Sequence, residues 1–600
     1  MAAANDTALA AAPALPSGRL FSALWPFAAL LGLALLLPLT GNDYWALIAT
    51  RACIYWVLVS GLNLIVGFAG QLAIGYVALL TIGAYTASVL AAGNLTEPLH
   101  PFLALAVAAL VGALCGVVVG LPALRLRTFY FAMTTLGFAT IVTQIALAWQ
   151  EVTGGGIGIP GPSLPAPLDT AWGFYYGCLA VAALCTWLTG NIARSRFGRA
   201  LVTVRDAEVA AEASGIAKPR LLVMVFLLAG ALAAFAGGLF ASLQTYITPD
   251  AFTFDLSLLF FIAVLIGGRG SILGPLLGTL LLTLLPEVAA PLAAWSTFLY
   301  AALLLVIVLA MPGGIAALID PRNRRRLPEN RAVVPRPELL PALLGQQPPH
   351  AGLALRNIVL AFGGVRAIDG IDLDLRPGEV HGLIGPNGSG KTTTLNVISG
   401  YYRPETGGMT CDGAPLPAGD AVGRAARGIA RTFQTPRVVG EASVLENVMV
   451  GASIEGRAGF LEALLSLPRQ RREERALEAR ARQALQAVGL AALADVRADR
   501  LQHSELRFME IARALMLRPA FLMLDEPAAG LSTDEIRRLD QLIRAVGRQG
   551  TGVLLVEHHA DLIFEICDRI TVLNLGKVLA AGTPEEIRTH KEVVSAYLGG

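Results

Sequence analysis

The sequence predicts a multidomain chain: a polytopic α-helical membrane domain of about ten spans, followed by an α/β P-loop domain. Three observations predict it. Apolar residues make up 55% of the 600 and charged residues only 15%, and the excess sits almost wholly before Pro321, in runs long enough to cross a bilayer. An apolar run ending in Leu383 and Ile384 is followed at once by Gly385-Pro-Asn-Gly-Ser-Gly-Lys391-Thr392. Between these two regions the chain turns basic and then Pro-rich, which is the composition of a linker. The boundaries that follow are a disordered leader over 1–20, a membrane domain over 21–318, a linker over 319–350 and a nucleotide-binding domain over 351–600.

The leader is rich in Ala, Pro and Ser and lacks the charged start of a cleavable signal peptide, so it is expected to remain in the cytoplasm. Apolar segments then run from Phe21 to Leu39, Tyr44 to Ile65, Phe68 to Ala92, Pro101 to Leu121, Thr128 to Trp149 and Ala171 to Gly190. Leu221–Leu243, Leu256–Leu285 and Ser296–Met311 follow. The region from Leu256 is too long for one helix and is broken by Gly267-Gly-Arg-Gly-Ser271, so it counts as two short crossings. With the N-terminus inside, Arg125 and Arg127, Arg194 to Arg220, Arg269, and Arg322 to Arg331 all fall on the cytoplasmic side. The loops Asn94–His100, Glu151–Thr170, Gln244–Asp255 and Pro286–Trp295 carry no Lys or Arg and fall outside. Only Arg51 sits awkwardly in this topology.

Small residues recur at close-packing intervals, as in Gly230, Ala234 and Gly238 or Gly67, Gly70, Gly75 and Gly83. They serve either a bundle around a pathway or static helix packing. Asn63 and Gln71 are polar at membrane depth, and Gln71 either lines a pathway or bonds between helices. The loop from Arg194 to Arg220 mixes apolar and charged residues at helical spacing over Gly198–Ile216. It reads as a short amphipathic helix that docks in a partner domain's groove, or else as a charged connector.

In the second half, Ile371, Leu373 and Leu375 alternate with Asp372 and Asp374 as a strand does. Phe362, ahead of the Gly363-Gly364 turn, either stacks on adenine or is an ordinary strand aromatic. The glycine-rich turn brings backbone N–H groups around phosphates, Lys391 reaches the β- and γ-phosphates, and Thr392 ligates Mg²⁺. Phe521–Leu524 is a buried-type strand ending in Asp525, which holds Mg²⁺ through water, and Glu526, which polarises the attacking water. A further strand, Gly552–Val556, ends in Glu557 and His558, placing an imidazole where a γ-phosphate is sensed. Gln434 closes Arg431-Thr-Phe-Gln and leads into a mostly helical segment with a charged helix over Arg469–Val488.

The P-loop, the Gln434 loop, Leu524-Asp-Glu-Pro527 and His558, in that order, resemble an ABC-type ATPase. Leu62–Ala84, Leu124–Gly161 and Gly198–Gly270 resemble the permease of the bacterial branched-chain amino acid import family. Ala351–Gly600 resembles its ATP-binding subunit, with Thr432-Phe-Gln434, Pro527-Ala-Ala-Gly-Leu531 and Ala596-Tyr-Leu-Gly599 as marks. In that family the two are commonly separate chains; here they are fused.

The resemblance implies an ABC importer half in the bacterial inner membrane, multi-pass, with its ATPase domain cytoplasmic. Nucleotide contacts fall to Phe362, Gly385, Pro386, Asn387, Gly388, Ser389, Gly390, Lys391, Thr392, Thr393, Gln434 and Asp525. Mg²⁺ falls to Thr392, Gln434 and Asp525, and hydrolysis to Glu526, His558 and Gln434. The cofactors implied are ATP and Mg²⁺. The partners implied are a second permease, a second ATPase, as a hetero-oligomer or homodimer, and an extracytoplasmic solute-binding protein. Branched-chain amino acids are the default substrate, with urea, short amides and aromatic acids carried by relatives.

The signature falls at Leu501-Gln-His-Ser-Glu505 and departs from Leu-Ser-Gly-Gly-Gln. Ser532 stands for the usual D-loop Asp, and His559 for a frequent Asp. These departures damage the site completed by this chain's signature, while its own P-loop, Asp525 and Glu526 are intact. If two copies pair, both sites inherit the weak signature; a different partner leaves one sound. The Gly198–Ile216 loop resembles the importer coupling segment, with Val209 where Glu is expected. That disfavours an exporter, and the altered signature keeps a weakly hydrolysing regulatory subunit open. A net charge of +2 is too small to suggest a nucleic-acid partner, and the apolar spans imply membrane lipid as one. The six cysteines lack metal or disulfide spacing and serve as apolar fillers.

Overall fold

In the computed structural model, the described residues are 18–95, 97–126, 128–288, 295, 298, 302, 305–306, 309–311, 313–319, 327–328, 331, 333–345, 350–558 and 560–595. The chain divides into two units. One comprises Met1–Arg205, Pro219–Asn323 and Gly459–Leu467, and the other Asp206–Lys218, Arg324–Ala458 and Pro468–Gly600.

The first unit is helical. Apolar runs form helices over Gly18–Leu36, Asp43–Asn63, Val77–Ala92, Pro101–Gly120, Thr128–Ala148, Ala171–Arg194, Lys218–Gln244, Phe254–Gly267 and Leu273–Val288. Among the described residues, six helical stretches are long and apolar enough to cross a membrane, and Trp25–Leu39, Val77–Ala92 and Leu273–Glu287 are shorter apolar ones. The tenth expected span, Ser296–Met311, lies largely outside the described residues, as do Arg127, Arg322–Arg326 and residues 1–17. The helix opening at Gly18 shortens the expected leader.

Two expectations need correction. The third span starts at Val77, not Phe68, because the helix from Asp43 ends in a π-turn over Leu64–Phe68 and the chain is non-helical from Ala69 to Tyr76. Apolar composition does not separate buried irregular backbone from helix. Gln71 is buried and among the described residues its side chain donates locally, to Ala69 O at 3.4 Å, rather than to another helix. Asn63 does that instead, donating to Ser271 O at 2.7 Å across the Gly267–Ser271 break. Arg205 reaches the same place, with its guanidinium donating to Gly67 O. Arg51 finds its counter-charge in Glu287 at 3.7 Å.

Helices Pro101–Gly120 and Lys218–Gln244 cross backbone to backbone. A Cβ on Gly230 would lie 2.2 Å from Gly112 O, and one on Gly112 would lie 2.5 Å from Gly230 O, so neither position accepts a side chain.

The second unit is α/β. Its main sheet runs in the order Lys577–Gly582, Arg569–Asn574, Val380–Ile384, Gly552–Val556, Phe521–Asp525, Ile429–Arg431. All pairs are parallel except the first. Three central strands are buried along their whole length, as parallel strands covered on both faces must be. An antiparallel sheet of Val365–Leu375, Leu353–Phe362, Thr406–Cys411 and Ala414–Pro415 packs its apolar face on Leu383, Leu395 and Phe521. The alternation at Ile371–Leu375 is as expected, apolar in and acidic out.

The stretch expected to be a linker is not one throughout. Val333, Leu340, Leu343 and Leu344 are buried in the same cluster as Leu485, Leu493 and Phe508. The expected amphipathic helix is two, Arg196–Asp206 and Glu208–Ala213.

Candidate functional site

The strands Val380–Ile384, Phe521–Asp525 and Gly552–Val556 deliver functional residues at their C-terminal ends, where parallel sheets place their sites. The strand Val380–Ile384 feeds the turn Gly385–Gly390, and the helix Lys391–Ile398 follows. Gly385 and Gly390 have φ of +150° and +102°, and a Cβ on either would meet Leu573 O or Ala367 O at 2.1 or 2.6 Å. The turn is therefore closed to side chains at both ends, which keeps its backbone open to a ligand, while the Ser389 N–H turns inward to Pro386 O at 3.2 Å. Lys391 Nζ donates to Gly385 O at 2.7 Å and Pro386 O at 3.0 Å, folding back over the loop. Burial depresses its pKa, opposed by the carboxylates of Glu526 and Asp525. Thr392 is exposed and Thr393 half-buried, while Asn387 and Gly388 form the open rim. Ser389 Oγ is buried without a hydrogen-bond partner among the described residues.

Two strands over, beyond Gly552–Val556, the strand Phe521–Asp525 ends in a buried carboxylate whose pKa is raised by burial against the pull of Arg431. Asp525 Oδ2 takes Arg431 at 3.0 Å, and Oδ1 has no partner among the described residues. Glu526 follows in a left-handed conformation, φ +47°, uncommon for a residue with a Cβ. Its two oxygens are both engaged: Oε1 with His558 Nε2 at 2.7 Å, and Oε2 accepting from Gln434 Nε2 at 2.8 Å. Glu526, His558 and Gln434 thus converge. Phe362 is exposed and meets Tyr402 edge-on at 5.2 Å.

The oxygen donors Thr392 hydroxyl, Asp525 carboxylate and Gln434 amide carbonyl, with one Asp525 oxygen buried and unpartnered, fit a hard cation such as Mg²⁺.

Several residues that build the site carry no motif. Helix His503–Leu515 presents Arg507, Glu510 and Arg513 on one face. Arg507 donates to Phe433 O at 2.7 Å and to Gln434 O; Glu510 accepts from Arg437 N at 2.9 Å and Arg513 at 3.0 Å. These three fix the backbone of the Gln434 loop. Glu557 is buried and accepts from Ala528 N at 2.7 Å, holding the turn after Glu526. The sequence signal was the i, i+3, i+6 spacing of Arg507, Glu510 and Arg513 on a helix whose other residues after Glu505 are apolar.

At the signature, Gln502 caps the helix from His503, and His503 Nε2 lies 3.2 Å from Ala529 O. Ser532 caps the helix Thr533–Arg548 in a box with Glu535, a role serine fills well. His559 and Ala596–Gly599 lie outside the described residues.

The segment Asp206–Lys218 belongs to the same unit. Ala207 and Ala210 pack on Phe433, and Tyr401 Oη donates to Val209 O at 2.7 Å. The residue next to the functional Gln434 is therefore also a contact of this segment.

Comparison with known proteins covers both halves. Residues 44–311 match the family model described as branched-chain amino acid transport system / permease component. Residues 368–529 match the ABC transporter model, and residues 577–600 the branched-chain amino acid ATP-binding cassette transporter model. The high-affinity branched-chain amino acid transport ATP-binding protein LivG of Salmonella typhimurium is 41% identical over 248 residues, covering 41% of this chain and 97% of LivG. Its counterpart BraF of Pseudomonas aeruginosa is 39% identical over 250 residues, covering 41% of this chain and 97% of BraF.

Proposed function

The chain belongs to the branched-chain amino acid ABC transporter family, with permease and ATPase in one polypeptide, and from that premise we propose how it works and what it carries. It is an ATPase. Its cargo is a hydrophobic, branched-chain amino acid delivered by an extracytoplasmic solute-binding protein, and it operates in the bacterial inner membrane beside a second permease and a second ATPase. The observation that carries the reading is the pairing, within one chain, of a family permease with an ATP-binding half related to LivG and BraF.

In the catalytic cycle, the Gly385–Thr393 turn binds the phosphates of ATP and Phe362 covers the adenine. Lys391 exchanges its loop carbonyls for β- and γ-phosphate oxygens, a short movement of a side chain already aimed across the loop. Thr392, Gln434 and Asp525 would hold Mg²⁺, whose charge would offset that of the phosphates. Glu526 orients and deprotonates the attacking water, with His558 and Gln434 fixing its two oxygens. Gln434 reports nucleotide state to Asp206–Lys218 through its neighbour Phe433, a reading supported by the packing of Phe433 on Ala207 and Ala210.

The test is uptake of labelled leucine into vesicles containing the assembled transporter, with ATP supplied on the cassette side and a binding protein outside. ATP-dependent accumulation competed by isoleucine and valine supports the reading. Competition by urea or an aromatic acid, with none by valine, reassigns the cargo. A second reading, a regulatory subunit of weak hydrolysis, draws on the altered signature Leu501–Glu505, and substituting Glu526 decides it.

A further inference from the structure

The turn Arg500–Glu505 is braced by a residue from outside the cassette motifs. Glu505 is fully buried and its Oε2 accepts from Gln502 N at 2.7 Å, closing the first turn of the helix. The same carboxylate receives Arg331 through Nε at 2.9 Å and Nη2 at 2.5 Å, and Nη2 also donates to Arg500 O at 3.1 Å. Arg331 is itself well anchored. Two residues on, Val333 O accepts from Arg538 at 2.8 Å, and Arg336 N donates to Ala487 O at 2.7 Å. Leu340, Leu343 and Leu344 then enter the core.

A buried carboxylate without a counter-charge is costly, and a negative charge on a turn that receives phosphate opposes that task. The glutamine of the usual signature would need no partner, since a neutral amide completes the same capping box. Here the acid is accompanied by an arginine from the strap that leaves the membrane half.

We infer that Arg331 is a positioning residue of the signature turn: it neutralises Glu505 and holds Arg500–Glu505 in the shape that meets the partner ATPase's nucleotide. This rests on reading residues 501–505 as the signature. The strap is thereby a working part of the composite site, and the acid and the arginine are one paired departure.

The experiment uses the complex purified from native membranes through a tag on this chain, comparing Arg331→Gln, Glu505→Gln, the double variant and Glu526→Gln. ATP turnover is read together with equilibrium binding of a fluorescent ATP analogue to this chain's own P-loop. Arg331→Gln is expected to lower turnover on the order of tenfold to a hundredfold, the scale of a misplaced reacting group, with analogue binding unchanged. Arg331→Gln/Glu505→Gln is expected to turn over faster than Arg331→Gln and to match Glu505→Gln alone, because with no buried acid to offset, the arginine has nothing left to do. Should Arg331→Gln accumulate poorly, the same rescue is read in the yield of the double variant. A double variant as slow or as poorly assembled as Arg331→Gln overturns the inference, because Arg331 would then be a plain brace. Normal turnover in Arg331→Gln, or loss of analogue binding with it, overturns it too. If Glu526→Gln abolishes turnover while Arg331→Gln does not, only this inference falls; if Glu526→Gln has no effect, the reading of the cassette falls with it.

Discussion

Arg431 and Asp525 form an ion pair with both side chains buried, Nη2 to Oδ2 at 3.0 Å. The same guanidinium donates to Asn396 Oδ1 at 2.6 Å, near the end of the P-loop helix, and lies over the rings of Phe433 at 5.3 Å and Tyr401 at 5.8 Å. Those two rings hold Ala207, Ala210 and Val209. One side chain therefore links the proposed Mg²⁺ carboxylate, the phosphate-binding helix and the seat of the Asp206–Lys218 segment.

Replacing Arg431 by Met strands a buried carboxylate. The expected loss is about 3–5 kcal/mol, the scale for breaking one side of a buried pair. Thermal unfolding of the full chain checks it, and adding Asp525→Asn should recover part of the loss. A melting temperature equal to wild type in Arg431→Met would show that the pair is not held in solution.

Glu526→Gln keeps the shape of the side chain and removes the base. Turnover should fall roughly 10²- to 10⁴-fold, the range for a positioned general base, with ATP binding retained. His558→Ala should fall less, because Gln434 still holds the other oxygen. Equal losses in the two variants would shift the base assignment away from Glu526 alone.

The phosphate loop, Asp525, Glu526 and His558 were legible in the sequence because each sits at a strand end with its chemistry in a few adjacent residues. The residues that brace them were not. Arg431 meets Asp525 across 94 positions, Arg507 meets Phe433 across 74, and Arg331 meets Glu505 across 174. Nothing local marks such pairs, since each is fixed only when strands and helices have assembled. The strap from Val333 to Leu344 was hidden for a related reason. Its prolines and charges look like a linker, and its four buried apolar residues are too few and too unevenly spaced to register as an element.

The Asp206–Lys218 segment should be more important to coupling than to hydrolysis. Ala210 is fully buried against Phe433, so Ala210→Glu places a charge where there is room only for a methyl group. The expected result is ATP hydrolysis within about threefold of wild type, with labelled-solute uptake cut by at least tenfold. Tyr401→Phe, which deletes the hydroxyl's bonds to Val209 O and to the backbone of Ala213, should cost about 0.5–1.5 kcal/mol of seating per bond and weaken uptake less. Both activities falling together in Ala210→Glu would make the segment part of the cassette's own stability.

Glycines in the membrane half look alike in sequence and differ sharply in what surrounds them. At Gly230 an added Cβ would overlap Gly112 O at 2.2 Å and crowd Gly116 Cα at 2.9 Å, and both are backbone atoms that no rotamer change moves. At Gly137, in an equally apolar helix, nothing lies within 4 Å. Gly230→Leu must therefore push Pro101–Gly120 away from Lys218–Gln244, at an overpacking cost of about 1–3 kcal/mol or more. The variant should accumulate poorly in membranes and melt early in detergent, while Gly137→Leu behaves as wild type. Gly230→Ala should already show part of the effect, since its single methyl meets the same carbonyl. If Gly230→Leu and Gly137→Leu accumulate and melt alike, the two helices do not cross at Gly112 and Gly230 in the membrane.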